Sequence, residues 1–301
     1  MTSGITIDRG TQRDSRACHE VLYASLNDFE RRFGTPLDGT EPEWWAAIAP
    51  YFGLLEAEFA EWWVAKDEAG TIVGYSRSIE HGGMFELTEL FVRPDHQGKG
   101  LGRELLDRSF PAGRGEFRSI IATRDVRALA NYYASGVAVR FPILGLDGAP
   151  AAAEQDPGLS VHRVAGEDDP AADAIRDLER PLLGFERSDA GRRTLLASRE
   201  AYFYRRGDTA VGFSFVSPGG CGPIGALDPA DLPGIMLHVE DRASALGVEL
   251  LSLQVPAANE VATRHLLGRG FRFEAFISFL MSDRSFGRYD RVVCFSPPLF
   301  L

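Results

Sequence analysis

The sequence predicts a mixed α/β protein built as two tandem domains of one plan, each a mainly antiparallel central sheet flanked by helices. Three observations predict it. Strand-like and helix-like runs follow the same order twice; a structureless stretch separates the two series; and 301 residues exceed the common single-domain size by about twofold.

In the first series "GITIDRG" alternates as a short strand, and "QRDSRACHEVLYASLNDFERRFG" carries apolar residues at helical spacing before stopping at Gly34. "TEPEWWAAIAPYFGLLEAEFA" reads as a second helix, and "EWWVAKDEAGTIVGYSRSI" as two strands around an Asp-Glu-Ala-Gly turn. "MFELTELFVRP", "GLGRELLDRSFPAG", "FRSIIATRD", "VRALANYYASG" and "VAVRFPILGL" continue as strand, helix, strand, helix and strand. The stretch "DGAPAAAEQDPG" lacks periodicity and reads as a linker, so the expected boundaries are 1–146 for the first domain, 147–158 for the linker and 159–301 for the second. After it "LSVHRV", "PAADAIRDLERPLLG", "AGRRTLLAS", "EAYFYRRGDTAVGFSFVS", "CGPIGALD", "LPGIMLHVEDRASALG", "VELLSLQVP", "EVATRHLLGRG" and "FRFEAFISFLM" repeat the order. Asp125, Ala128, Tyr132 and Gly136 share their spacing with Asn259, Ala262, Leu266 and Gly270. Order and spacing together indicate an internal duplication.

Composition is that of an ordinary globular protein, with 45% hydrophobic and 25% charged residues. A net charge of −11 disfavours nucleic acid and anionic membrane as partners, and favours a cationic or amine-bearing small molecule. Cys18, Cys221 and Cys294 show neither a disulfide framework nor metal-ligand spacing, and the six histidines show no paired metal spacing, so no metal is expected. "MTSGITIDRG" has no signal-peptide pattern and no apolar run reaches bilayer length, so the expected compartment is the cytoplasm. The apolar end "VVCFSPPLFL" is able to pair with another element or another chain, which leaves monomer and homodimer both open.

The stretch "PDHQGKGLG" places Gly98, Gly100 and Gly102 alternately where a strand turns into a helix. Such glycines leave backbone N–H groups pointing outward at the positive end of a helix, a site for phosphate. A dinucleotide-binding unit requires this turn after the first strand, with an acidic residue about 20 positions on; here it follows the fourth. A P-loop requires Gly-Lys-Ser or Gly-Lys-Thr, whereas Lys99 is followed by Gly100.

"LTELFVRPDHQGKGLGRELL" resembles the acetyl-CoA-binding signature of the GNAT N-acetyltransferase superfamily, Gln/Arg-x-x-Gly-x-Gly/Ala, with Gln97, Gly100 and Gly102 at its fixed positions. "DVRALANYYASGV" resembles the family's Asn-x-x-Ala-x-x-x-Tyr-x-x-x-Gly, with Asp125 in place of Asn. The resemblance covers the first domain in element order and implies two tandem GNAT-like domains. It implies acetyl-CoA as cosubstrate, its pantetheine arm along Leu90, Phe91 and Val92. The pyrophosphate then sits on the N–H groups of Gln97, Gly98, Lys99, Gly100, Leu101 and Gly102, with Lys99 and Arg103 adding charge.

Transfer to a primary amine needs a proton acceptor, because the amine is mostly protonated at neutral pH. Glu86 and Glu89 lie on the preceding strand, three residues apart and therefore expected on opposite faces, so one of them serves. Glu86 matches by spacing the base of histone-type members and is placed slightly ahead of Glu89, which is nearer the thioester. A strand N–H supplies the oxyanion donor. Tyr132 stands at the family position for the acid that protonates the leaving thiolate, and only one of Tyr132 and Tyr133 can face the cleft. Trp44, Trp45, Tyr51 and Phe52 belong to the segment that covers the acceptor in this family, while adjacent Trp62 and Trp63 face opposite ways on a strand. His81 is placed near the acceptor mouth.

In the second domain "PIGALDPADLPG" replaces the glycine turn, with Asp228, Pro229 and Pro233 adding negative charge and removing N–H groups, and Leu266 stands where Tyr132 stands. That copy is expected to have lost CoA binding and catalysis and to serve structurally, completing the acceptor cleft or extending a sheet. The expected function is transfer of acetyl from acetyl-CoA to a small-molecule amine by direct attack in a ternary complex. The alternative is a non-catalytic acyl-CoA-binding sensor.

Overall fold

The computed structural model describes residues 4–294. The chain divides into two compact units, one running to Ala138 and taking in Ser282–Arg284, the other comprising Val139–Met281 and continuing from Ser285. The boundary expected at residue 146 falls inside a strand, Ala138–Gly148, which is counted with the second unit from Val139 onward. Asp147 and Gly148, expected in the linker, are the last two residues of that strand.

The first unit contains β1 (Thr6–Arg9), α1 (Ser15–Arg31), α2 (Glu41–Glu58), β2 (Phe59–Lys66), β3 (Ile72–His81), β4 (Met84–Val92), α3 (Leu101–Ser109), β5 (Phe117–Thr123) and α4 (Val126–Ala134). Its strands lie in the order β1-β2-β3-β4-β5. All pairs are antiparallel except β4 with β5. The β2–β3 turn is fixed by Asp67, whose carboxylate accepts from the N–H groups of Ala69 and Thr71. Thr40 starts α2 with a capping box, its N–H and hydroxyl both donating to Glu43.

Period-two alternation gives this sheet two apolar faces. On one, Cys18, Val21 and Leu22 of α1 and Phe52 of α2 pack on Trp62, Val64 and Tyr75. On the other, Leu101 and Leu105 of α3 pack on Ala65, Val73 and Val92. Trp62 is buried in the first face and Trp63 packs against the second, the opposed placement expected of neighbours on a strand.

The second unit opens with β6 (Ala138–Gly148) and then repeats the order as β7 (Ser160–Arg163), α5 (Pro170–Leu183), α6 (Asp189–Ser198), β8 (Glu200–Arg206), β9 (Thr209–Val216), β10 (Ile224–Ala226), α7 (Leu232–Ala245), β11 (Leu251–Pro256) and α8 (Glu260–Gly268), followed by β12 (Arg272–Ser282). A last strand, β13 (Val292–Val293), has no counterpart in the expected plan. It pairs antiparallel with β10 and closes the sheet β13-β10-β9-β8-β7. Residues 295–301, the remainder of "VVCFSPPLFL", lie outside the described residues. Strand β6 pairs antiparallel with β11. The core holds Tyr204, Ile224, Ile235, Met236, Val255 and Leu266.

Candidate active site

Strands β4 and β5 pair from Met84–Phe117 to Leu87–Ile120 and then part. The edge of β4 beyond Leu87 therefore carries no strand partner on the β5 side, while its other edge stays paired with β3. Between the parted strands lies a cavity of about 460 Å³. Leu87–Val92 form one wall and Ile120–Thr123 the other; Ser25, Leu26 and Phe29 of α1, Arg32 just past its end, and Ala128, Asn131 and Tyr132 of α4 complete it.

The glycine turn closes one end of this cavity, which Gln97, Gly98, Gly100, Gly102 and Arg103 line. Gly98 and Gly100 have φ of 77° and 85°, the left-handed region where an L side chain is strained, and Gly100 is the N-cap of α3. Among the described residues, the N–H groups of Gly98, Lys99, Gly100, Leu101 and Gly102 find no protein acceptor. Unengaged N–H groups at a helix start, three of them on residues that line the cavity, make an anion cradle. The Gln97 amide donates to the Val92 carbonyl at 2.8 Å, and the Ser25 hydroxyl donates to the same oxygen at 2.9 Å, fixing the turn to the end of β4.

Not every residue expected here reaches the cavity. The Lys99 ammonium folds back onto the Asp95 carbonyl at 3.2 Å, leaving Arg103 as the cation of this loop at the cavity. The Leu101 side chain is buried in the α3 core, so only its backbone faces the turn. Arg32 and Arg127 also line the cavity. The sequence offered no signal for them, since one follows α1 and the other lies on α4, both far along the chain from the turn, and each pairs with a neighbouring acid, Asp28 and Asp125 respectively.

At the other end, Tyr132 lines the cavity and is 7% exposed, whereas Tyr133 is 53% exposed. Burial, reinforced by the charge of Asp125, raises the Tyr132 pKa well above that of an ordinary phenol, so the group keeps its proton. The Asp125 side chain caps α4 by accepting from the N–H groups of Arg127 and Ala128, which sets the helix that carries Tyr132.

The two strand carboxylates depart from the expected geometry. Arg77 faces Glu89 across the ladder but Ser78 faces Leu87, so Thr88 is an extra residue, a β-bulge. The bulge shifts the parity by one, and Glu86 and Glu89 fall on the same face, that of Tyr75, instead of opposite faces. Both are buried, but only Glu89 of the two lines the cavity. Its Oε1 accepts from the Tyr75 hydroxyl at 2.8 Å, and its Oε2 lies 2.7 Å from Nε of Arg77.

The aromatic segment packs inward over this face. Trp45 and Phe52 contact each other and the His19 ring, edge to face at 5.2 to 5.8 Å. Trp44 turns to Tyr23 and donates to the Asp38 carbonyl. Tyr51 is half-buried on the same helix. His81 ends β3 opposite Met84, at the turn remote from Glu89, and is not among the cavity-lining residues.

Residues 58–136, which span the bulge, the glycine turn and Tyr132, match the family model of the acetyltransferase (GNAT) domain. That match covers part of the first unit. Solved structures share their fold with most of the chain. An acetyltransferase candidate from Pyrococcus horikoshii is 15% identical with a TM-score of 0.74, over 97% of this chain and 94% of that one. A GCN5-related N-acetyltransferase from Sphaerobacter thermophilus is 15% identical with a TM-score of 0.64, over 94% and 96%. A tandem GNAT protein from the clavulanic acid biosynthesis pathway is 14% identical with a TM-score of 0.58, over 92% and 98%. At such identities the likeness is one of fold. No curated protein matches the chain in sequence. The GNAT family uses acetyl-CoA for acyl transfer. Among the described residues there is no group of three His, Cys, Asp or Glu placed to hold a metal, and no helix long and apolar enough to cross a membrane.

Proposed function

We propose that the first unit is an acetyl-CoA-dependent N-acetyltransferase that acylates a small-molecule amine by direct attack in a ternary complex. One observation carries the reading: a single cavity is lined by Gly98, Gly100 and Gly102, whose N–H groups are unengaged, and by a buried tyrosine and a buried carboxylate, Tyr132 and Glu89. The residues fit acetyl-CoA. Gly98–Gly102 and Arg103 hold the pyrophosphate, and the unpaired edge of β4 from Thr88 to Val92 accepts the pantetheine amides as a further strand would.

When bound, acetyl-CoA supplies the thioester carbon that the amine attacks. The amine attacks in its neutral form, and Glu89 takes one proton from it, directly or through a water, as the new C–N bond forms, then releases that proton to solvent. A free strand N–H beyond the bulge stabilises the oxygen that gains charge. The C–S bond breaks, and the Tyr132 hydroxyl gives its proton to the departing sulfur and regains one from solvent. Glu86, outside the cavity lining, is left to structural support of the strand.

The covering aromatic segment supports a small acceptor over a protein lysine, and the three buried free cysteines support a reducing compartment, the cytoplasm. Isothermal titration with acetyl-CoA, followed by thiol release over a panel of amines, tests the reading. Binding with turnover is expected. Binding without turnover over a broad panel supports the sensor instead, and no binding overturns both.

A further inference from the structure

Beneath α2, the first unit buries an arginine whose two Nη groups are left without acceptors among the described residues. Arg77 sits in the middle of β3 with 0% exposure. Its guanidinium lies between two rings, 4.4 Å from the Trp62 centroid and 4.9 Å from the Phe52 centroid. Its Nε edge faces Glu89. Nη1 and Nη2, both fully buried, have no hydrogen-bond partner among the described residues. Buried guanidinium donors are among the costliest groups to leave unmet, and native structures rarely leave them so without a use. Nε2 of His19 is unmet as well, in a ring that touches Phe52, while its Nδ1 contacts Glu41 at 2.5 Å.

We infer that Arg77 binds the carboxylate of the acceptor, so that the amine acylated by this site belongs to an amino acid. This rests on the acetyltransferase reading above. The Nη1–Nη2 edge is a planar pair of donors, which matches the two oxygens of a carboxylate, and the aromatic rings on both sides of the guanidinium leave that edge for an in-plane partner. Glu89 carries the opposite charge on the neighbouring strand and lines the cavity. An amino acid therefore meets both poles, its carboxylate at Arg77 and its amine at Glu89 beside the thioester. A polyamine has no anion for Arg77 and brings further cations toward a buried guanidinium. The overall charge of −11 acts weakly on a zwitterion, so the local pair decides the acceptor. Entry requires α2 to move. That helix buries only Phe52, Leu54 and Leu55 and contains Pro50, which removes one of its hydrogen bonds.

The test compares free amino acids with their own α-amides by thiol release at saturating acetyl-CoA. The amide has the weaker base of the two amines, so a preference for the acid cannot come from its fraction of free amine. The wild-type protein is expected to favour the acid by at least about tenfold in kcat/KM, carried by KM. Arg77→Met is expected to abolish that preference while acetyl-CoA affinity stays within about twofold, and Arg77→Lys to retain part of it. The acid-to-amide ratio of the wild type needs no variant to fold. Equal or better turnover of amides overturns the inference and leaves the acetyltransferase reading intact. Acetyl-CoA binding with no turnover of any amino acid overturns it also, whereas failure to bind acetyl-CoA removes the reading beneath it.

Discussion

The turn after β4 and the turn after β10 occupy the same place in the two units and treat an anion in opposite ways. After β4 the N–H groups of Gly98–Gly102 find no protein acceptor among the described residues. After β10 the loop carries its own carboxylates: Asp228 accepts from the Ala230 N–H at 2.9 Å, and Asp231 is held by Arg206 at 2.6 Å. The clefts differ likewise. β4 and β5 part around a cavity, whereas β10 pairs with β13, and Cys294 beside it bridges to Gln254 of β11. Asn259, the counterpart of Asp125, donates to the Val292 carbonyl at 3.0 Å. The chain's own backbone thus lies where a pantetheine arm would lie in the first unit, and Leu266 fills the core where Tyr132 lines a cavity. The comparison teaches that a duplicated cleft is closed by satisfying the same donors from within.

The largest effect is expected at the residue present in one cleft and absent from the other. Tyr132→Phe should lower kcat by about 10²- to 10⁴-fold, the span of a lost general acid, and leave the Kd of acetyl-CoA within about twofold. Titration and steady-state kinetics on one preparation decide it, and equal loss of both marks Tyr132 as structural.

Next comes the turn itself. Gly100→Val adds left-handed strain of about 1–2 kcal/mol and puts a side chain among the donors, so the Kd should rise by about 10- to 100-fold. Asp228→Ala in the second turn should leave that Kd unchanged and cost about 1 kcal/mol of stability, read by denaturant unfolding, because it removes only a cap.

The smallest effect concerns pH. Glu200 on β8 is held at about 2, below the ordinary 4.5, chiefly by the Arg242 side chain, with burial opposing and Tyr202 adding a hydrogen bond. Its folded-state value is lowered, so its contribution is complete above about 4.5 and disappears as pH falls toward 2. The gap between thermal melts of wild type and Glu200→Gln should therefore be largest at pH 6 and shrink below pH 4.5, with about a quarter of it left near pH 2.5. A gap that stays constant across this range contradicts the assignment.

Much of this contrast is legible in the sequence, because it is local. Glycine spacing, the acids and prolines of "PIGALDPADLPG", and the exchange of Tyr132 for Leu266 are all read within a few residues. The element order follows from periodicity in the same way. What was illegible depends on distant partners. The bulge at Thr88 appears only when β3 sets the register of β4, and Glu89 rather than Glu86 reaches the cavity because it lies beyond Leu87, where β4 parts from β5. Arg77 reads as one more charge in a strand until its burial between Trp62 and Phe52 is known. Strand β13 looks like an apolar end until β10 pairs with it, and β6 looks like the close of the first series although it is counted with the second unit.

The central claim is that one cleft takes acetyl-CoA and the other is filled by the chain itself. Calorimetric stoichiometry tests it most directly. The account predicts one acetyl-CoA bound per chain; two per chain, or none, would contradict it.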